Sequence, residues 1–196
     1  MTATNDVFAR FHALLEEARE AGDPEPTAMT LSSADLDGRI SSRTVLLKAL
    51  DQRGFVFYTN TQSNKGRQLQ ANPRAALSFL WKSLRNQVQV NIEGSVEAVS
   101  AQEADAYFAS RNRLSQLGAW ASWQSQTLLA RQDLLDRLQE LDTRYADQAV
   151  PRPAHWSGYR VVPTMIEYWF GEPARLHVRE RFERGEDEWS MRLLNP

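Results

Sequence analysis

The sequence predicts a mainly β fold with peripheral helices, an α+β chain built around a small antiparallel barrel. Three observations carry that expectation. Short apolar segments of alternating pattern are separated by turn signals at Asp37-Gly38 and Arg53-Gly54. A second group of such segments follows the breakers Pro151 and Pro153. Between the two groups lies a stretch of helical periodicity, so helices are set apart from strands instead of alternating with them, which disfavours a doubly wound sheet.

Taken in order, Phe8, Phe11, Leu14, Leu15 and Ala18 recur at helical spacing, and Gly22-Asp23-Pro24 closes that helix. Strands are expected over 28–33, 41–50 and 55–59, each bounded by a turn. Ser63 can cap a short helix through Leu69, which Asn72-Pro73 stops before extended structure resumes over 75–81 and 87–99. Ser100 and Glu103 have capping-box spacing for a helix to about Ser110. Leu134, Leu135, Leu138 and Leu141 mark an amphipathic helix over 128–145, a core or dimer face. Closing strands are expected over 159–162, 164–169, 175–183 and 189–193. With 196 residues and 42% hydrophobic content, one domain over 1–196 is expected. It divides into an N-terminal helix (1–25), main barrel strands (26–99), a helical insert (100–147) and C-terminal strands (158–196).

Composition removes several function classes. A net charge of -2 and a pI near 6.0 argue against a nucleic-acid or membrane surface, so any anion-binding groups must be local. The absence of cysteine excludes disulfides, thiolate catalysis and thiolate metal sites. His12, His155 and His177 are too scattered for a zinc site, and no metal is expected. There is no Gly-x-Gly-x-x-Gly, P-loop or Gly-x-Ser-x-Gly motif. No apolar run approaches the roughly 20 residues of a membrane span, and a cytoplasmic protein is expected.

Two segments ask for an anion. Arg43-Thr-Val-Leu-Leu-Lys48 and Arg175-Leu-His-Val-Arg179 each put basic groups into apolar, extended sequence, where an unpartnered cation is costly. Read with period 2, the second points Arg175, His177 and Arg179 to one face of a strand. Lysine is confined to Lys48, Lys65 and Lys82, and the first two fall in segments suited to holding phosphate.

Those segments, with Gly54-Phe-Val-Phe-Tyr-Thr-Asn60, the run from Tyr107 through Arg111 and Ser115 to Trp120, and Gln124-Ser125, resemble the pyridoxine (pyridoxamine) 5′-phosphate oxidase family. The resemblance runs in order from about Pro26 to Pro196. It implies an FMN-binding split β-barrel that dimerises around the flavin. It also implies oxidation of pyridoxine or pyridoxamine 5′-phosphate to pyridoxal 5′-phosphate, with O2 giving H2O2. Matched by position, the FMN contacts are Arg43, Thr44, Val45, Leu46, Leu47, Lys48, Tyr58, Thr59, Lys65, Gln87, Gln124, Ser125, Trp169 and Arg179. The substrate contacts are Lys48, Tyr107, Arg111 and Ser115 on the phosphate, with Arg175 and His177 as catalytic groups against the ring. Two positions depart from the family pattern: Asn64 stands where an arginine is common, and Val178 where an acid is common.

Each assignment has a plainer rival. In isolation Arg43 and Lys48 read as strand-edge charges, His177 as a hydrogen-bonded histidine, and Trp169 as a core aromatic. Tyr107, Arg111 and Ser115 read as a solvated helix face with a cap, and Trp120 and Trp123 as dimer-seam packing. Two further functions compete: a flavin oxidase acting on another ring, such as a phenazine precursor, and a non-catalytic flavin or pyridoxal-phosphate binding module. The first has no need of a substrate-phosphate pocket; the second has no need of Arg175 and His177.

Overall fold

The structure, a computed structural model, describes residues 7–186 and 188–196. The first six positions of the expected 1–25 segment lie outside it. Helix α1 (Val7–Glu20) buries the residues whose spacing announced it, Phe8, Phe11, Leu14, Leu15 and Ala18. It ends where Gly22, at φ +75°, lets the Gly22 and Asp23 N–H groups donate back to the Arg19 and Ala18 carbonyls. Phe11 is its anchor in the core, with its ring 5.0 Å from Phe55 and 4.9 Å from Phe79.

The strands are β1 (Ala28–Ala34), β2 (Ile40–Leu46), β3 (Ala49–Asp51), β4 (Gly54–Asn60), β5 (Arg74–Trp81), β6 (Val88–Ala98), β7 (Trp156–Phe170), β8 (Val178–Arg184) and β9 (Trp189–Leu194). They form one nine-stranded antiparallel sheet in the order β2-β1-β5-β6-β7-β4-β3, with β8 on β7 and β9 on β8. Its inner face, with α1, encloses the main core of Met29, Leu31, Phe55, Phe57, Leu77, Phe79, Val90 and Ile166. Around it lie α2 (Asn64–Ala71), α3 (Ala101–Ser110), α4 (Arg113–Ala121) and α5 (Arg131–Arg144). Helices α3 to α5 build a second core of Phe108, Leu117, Tyr145, Val150 and Trp156, on which Leu138 and Leu141 pack.

Several expectations are corrected. The strand expected over 41–50 is two, because the chain leaves one neighbour for another: Leu47 N–H donates to Thr27 and Lys48 N–H to Val56. The strands expected over 159–162 and 164–169 are one, since Pro163 sits opposite Gly94 where a register shift in β6 absorbs it. The strand expected from Arg175 begins only at Val178. Pro173–Arg175 is a single 3₁₀ turn with Ala174 at φ +56° and Arg175 at φ +63°, so strand alternation does not govern Arg175 and His177. The helix expected from Leu128 starts at Arg131, and α4 was not foreseen.

Gly54 has a specific reason to be glycine. It sits at φ +142°, and a Cβ there would lie 2.1 Å from the Val161 carbonyl oxygen. Gly54→Ala is expected to cost about 2 kcal/mol or more of stability. A urea midpoint unchanged from the parent protein would contradict this account of the β4–β7 contact.

Candidate active site

Where β2 runs into β3 and faces α2, α3 and α4, a cleft of about 650 Å³ opens. Twelve of the residues singled out in the sequence line it: Arg43, Thr44, Val45, Leu46, Lys48, Tyr58, Thr59, Lys65, Tyr107, Arg111, Ser115 and Gln124. Asn60, Gly118, Ala119, Ser122 and Trp156 complete the wall. Four of the lining side chains are cations and none is a carboxylate. Leu47, in the same run, turns its side chain into the main core instead.

The floor of the cleft is assembled around α2. Ser63 caps this helix, its hydroxyl accepting from Gly66 N–H, and the cap carries Lys65 into the cleft. Lys65 Nζ donates to Gln124 Oε1 (2.8 Å) and Thr59 Oγ1 (3.3 Å), neutral acceptors that leave its charge uncompensated. Burial, reinforced by the charge of Arg43, brings its pKa down to about 8. Arg43 donates to Ser33 Oγ (2.6 Å) and Gln68 Oε1 (3.2 Å), and burial lowers its pKa as well. Ser125, at φ +71°, accepts from Asn64 N–H at the start of α2. Asn64 itself accepts from Arg67, and Arg67 does not line the cleft.

The opposite wall is aromatic. Tyr58, Tyr107 and Trp156 cluster with their rings within 12° of parallel, the centroids 4.0 Å (Tyr58–Tyr107), 5.2 Å (Tyr58–Trp156) and 6.1 Å (Tyr107–Trp156) apart. Gly158 makes the stack possible, because a Cβ there would come within 2.8 Å of the Tyr58 ring. Arg111 lies over Trp156 at 4.8 Å, and its buried Nη1 has no hydrogen-bond partner among the described residues. Burial lowers its pKa. Tyr107 is on α3, Arg111 is the C-terminal cap of that helix, and Ser115 is in the first turn of α4, which Asn112 caps. Trp156 was missed in the sequence because it stands just after the breakers, ahead of the alternating pattern that marked the strand.

The remaining candidates gather elsewhere. Gln87, Trp169, Arg175, His177 and Arg179 do not line this cleft. Trp169 pairs with Arg179 across β7 and β8, eleven residues along β7 from the Gly158 that pairs with Tyr58. At strand rise that is a separation of about 30 Å or more. The Trp169 and His177 rings lie 4.5 Å apart, and His177 Nδ1 accepts from Glu172 N–H. Arg179 forms a two-pronged ion pair with the buried Glu167 (3.0 and 3.1 Å). Trp120 packs inside the helical insert, its Nε1–H donating to Pro151, while Trp123 is exposed beneath Arg137.

Comparison with known proteins explains the arrangement. The family model for pyridoxamine 5′-phosphate oxidase matches residues 14–145, and the model for the pyridoxine 5′-phosphate oxidase C-terminal dimerisation region matches residues 156–196. The chain belongs to this family. A pyridoxine/pyridoxamine 5′-phosphate oxidase of Xanthomonas euvesicatoria pv. vesicatoria is 53% identical over 97% of both chains. One from Caulobacter vibrioides is 53% identical over 100% of this chain and 87% of its own. Among solved structures, PhzG from Burkholderia lata, in complex with tetrahydrophenazine-1-carboxylic acid, superposes with a TM-score of 0.93 at 32% identity, covering 100% of this chain and 95% of its own. A pyridoxamine 5′-phosphate oxidase-related, FMN-binding protein from Nostoc punctiforme superposes with a TM-score of 0.76 at 18% identity over 100% of both. The fold is the split barrel of this family.

The state of Lys65 gives a pH signature. Below about pH 8 it is charged and an anion in the cleft gains its attraction; above that pH the attraction is lost. Affinity for an anion in the cleft, such as a flavin phosphate, is therefore expected to fall as pH rises through 8, and Lys65→Met to flatten that dependence, as read by flavin fluorescence titration. In the ligand-free protein the sign is opposite. The unfolded chain holds the Lys65 proton up to the ordinary value of 10.5, so stability rises with pH between about 8 and 10.5.

Proposed function

We propose that the protein is an FMN-dependent oxidase that converts pyridoxamine and pyridoxine 5′-phosphates to pyridoxal 5′-phosphate, with O2 as acceptor and H2O2 as product. The observation that carries this reading is the cleft: four cations, no carboxylate and a flat aromatic wall. Two phosphate-bearing rings match that charge and shape. FMN fits the donor set on the same ground, since Lys65 and Arg111 are half-buried with no anionic partner among the described residues.

In this reading Arg43 and Lys65 hold the FMN phosphate, while Thr59, Gln124 and Ser125 add neutral hydrogen bonds. Bound FMN supplies the two-electron acceptor that O2 reoxidises. Lys48, Tyr107, Arg111 and Ser115 take the substrate phosphate, and Tyr107 and Arg111 approach it from a single helix and its cap. Holding the substrate ring at a fixed angle is where several kcal/mol of the barrier is removed.

Gln87, Trp169, Arg175, His177 and Arg179 reach the same ligands from a second copy of the chain, since β7 holds them too far from their own cleft. The match of residues 156–196 to a dimerisation region supports this. Arg175 makes no ion pair among the described residues and is exposed, as expected of a group waiting for a ligand across an interface. Neutral His177, with Nδ1 occupied by Glu172 N–H, carries its proton on Nε2. It therefore serves the substrate as a donor in the clamp rather than as a proton acceptor. Among the described residues no helix is long and apolar enough to cross a membrane. With a cysteine-free chain, the cytoplasm is the proposed location.

A phenazine-type substrate, suggested by the PhzG likeness, is the competing reading. The four-cation cleft and the higher identity to the phosphate oxidases favour the vitamin. The deciding experiment is an aerobic assay of the purified protein with pyridoxamine 5′-phosphate, following aldehyde absorbance and peroxide together. A colourless protein that FMN cannot reconstitute overturns the proposal. Arg111→Ala is expected to raise KM roughly ten- to a hundredfold, the loss of a charge-assisted contact worth roughly 1.5–3 kcal/mol. Arg175→Ala should lower turnover while the flavin stays bound. Mixing Lys65→Met and Arg175→Ala chains should restore activity, because half of the sites in mixed dimers are then intact; no recovery on subunit exchange would count against the shared site.

A further inference from the structure

Outside the cleft, the described residues hold a charge cluster around one buried guanidinium, which the reaction does not use. Arg160, on β7, is 2% exposed. Its guanidinium reaches Asp51 Oδ1 at 2.9 Å, Glu103 Oε1 at 2.9 Å and Glu97 Oε1 at 3.4 Å, carboxylates from β3, α3 and β6. Arg53 closes the cluster from outside, bridging Asp51 (2.9 Å) and Glu103 (3.1 Å). A guanidinium this deeply buried is costly unless every prong is met, and here each one is.

Glu103 is where this cluster touches the site. One carboxylate oxygen takes Arg160 and Arg53, and the other accepts from Ser100 N–H in the capping box at the start of α3. Its backbone carbonyl accepts from Tyr58 Oη at 3.5 Å. The hydrogen bonds from Ser100, followed by the hydrogen bond from Arg53 and the charge of Arg160, outweigh burial and hold its carboxyl below the ordinary range. Burial pushes Asp51 up, but the hydrogen bonds from Arg53 and the charge of Arg160 carry it below that range too. Along the helix, Glu103, Tyr107 and Arg111 recur every four residues, so they share one stripe about 12 Å long. Phe108 anchors the far end of α3 in the second core, but beneath the start of the helix the apolar contact is small, a cluster of Val56, Val99 and Ala104 with Tyr58 packed against it. Packing at that end leaves little to fix where the first turn sits.

We propose that Arg160 is a positioning residue: through Glu103 it locks the start of α3 to the barrel, and so sets where Tyr107 and Arg111 meet the substrate phosphate. This rests on the reading of the cleft given above. Arg160 touches neither ligand, and its effect reaches the substrate only through the helix. The FMN phosphate groups, Arg43 and Lys65, stand on β2 and α2 and do not depend on the lock.

The test uses the FMN-loaded enzyme and pyridoxamine 5′-phosphate. Glu103→Gln keeps the capping acceptor but removes the charged partner, and Arg160→Lys keeps the charge but not the fork. Both are expected to raise KM about fivefold or more, with kcat at saturating substrate and FMN affinity within about twofold of the parent. In an Arg111→Ala background, Glu103→Gln should raise KM by a clearly smaller factor, because one of the groups it positions is gone. Unchanged KM in both variants overturns the proposal, as does an equal loss of kcat and FMN affinity, which marks general damage to the fold. Fully additive effects of Glu103→Gln and Arg111→Ala overturn it too. If Arg111→Ala alone leaves KM unchanged, it is the reading of the cleft that fails.

Discussion

Strand β7 is the constraint on which the architecture turns. It pairs with β4, β6 and β8 along its fifteen residues and runs through both the main core and the base of the helical insert. One end, at Trp156 and Gly158, forms the wall of the cleft; the other, at Trp169, supports the segment with Arg175 and His177. A continuous strand cannot fold its ends together, so the cleft and the segment with Arg175 and His177 stay apart within a chain. Under the proposed reading, association is then part of the chemistry, and not an addition to it.

Within the cleft the dominant force is electrostatic. Neutral hydroxyls and amides hold Lys65 and Arg43 in place without neutralising them, and Arg111 rests on a tryptophan face. Such an arrangement stores a cost in the empty protein that an anion offsets on arrival. The contrast with Arg160 is instructive. That guanidinium is met by carboxylates and is thereby committed to structure.

The legible parts of the fold were those with a local physical signal. Asp37-Gly38 and Arg53-Gly54 announced turns, Ser100 and Glu103 a helix start, and Phe8 to Ala18 a buried stripe, and all are found where expected. What was not legible depended on distant partners. Pro163 read as a break because its tolerance comes from Gly94 on another strand. Arg175 read as extended because nothing in Arg-Leu-His-Val-Arg declares a positive φ. Helix α4 was hidden because its nine residues bury only Leu117 and Ala121, too few to show a period. In the cleft, the charged residues stood out by resemblance, whereas Trp156 and Gly158, which shape its wall, carry no charge or motif. The Arg160 cluster joins residues from four separate stretches of chain, so no window of sequence contains it.

Gly66 adds one more consequence. A Cβ there would fall 2.2 Å from the Thr61 carbonyl oxygen, so the first turn of α2 is pressed flat against the bend that precedes it. A helix seated this closely has no slack to lose when a phosphate arrives. Under the proposed reading, little ordering entropy then has to be lost when the ligand binds.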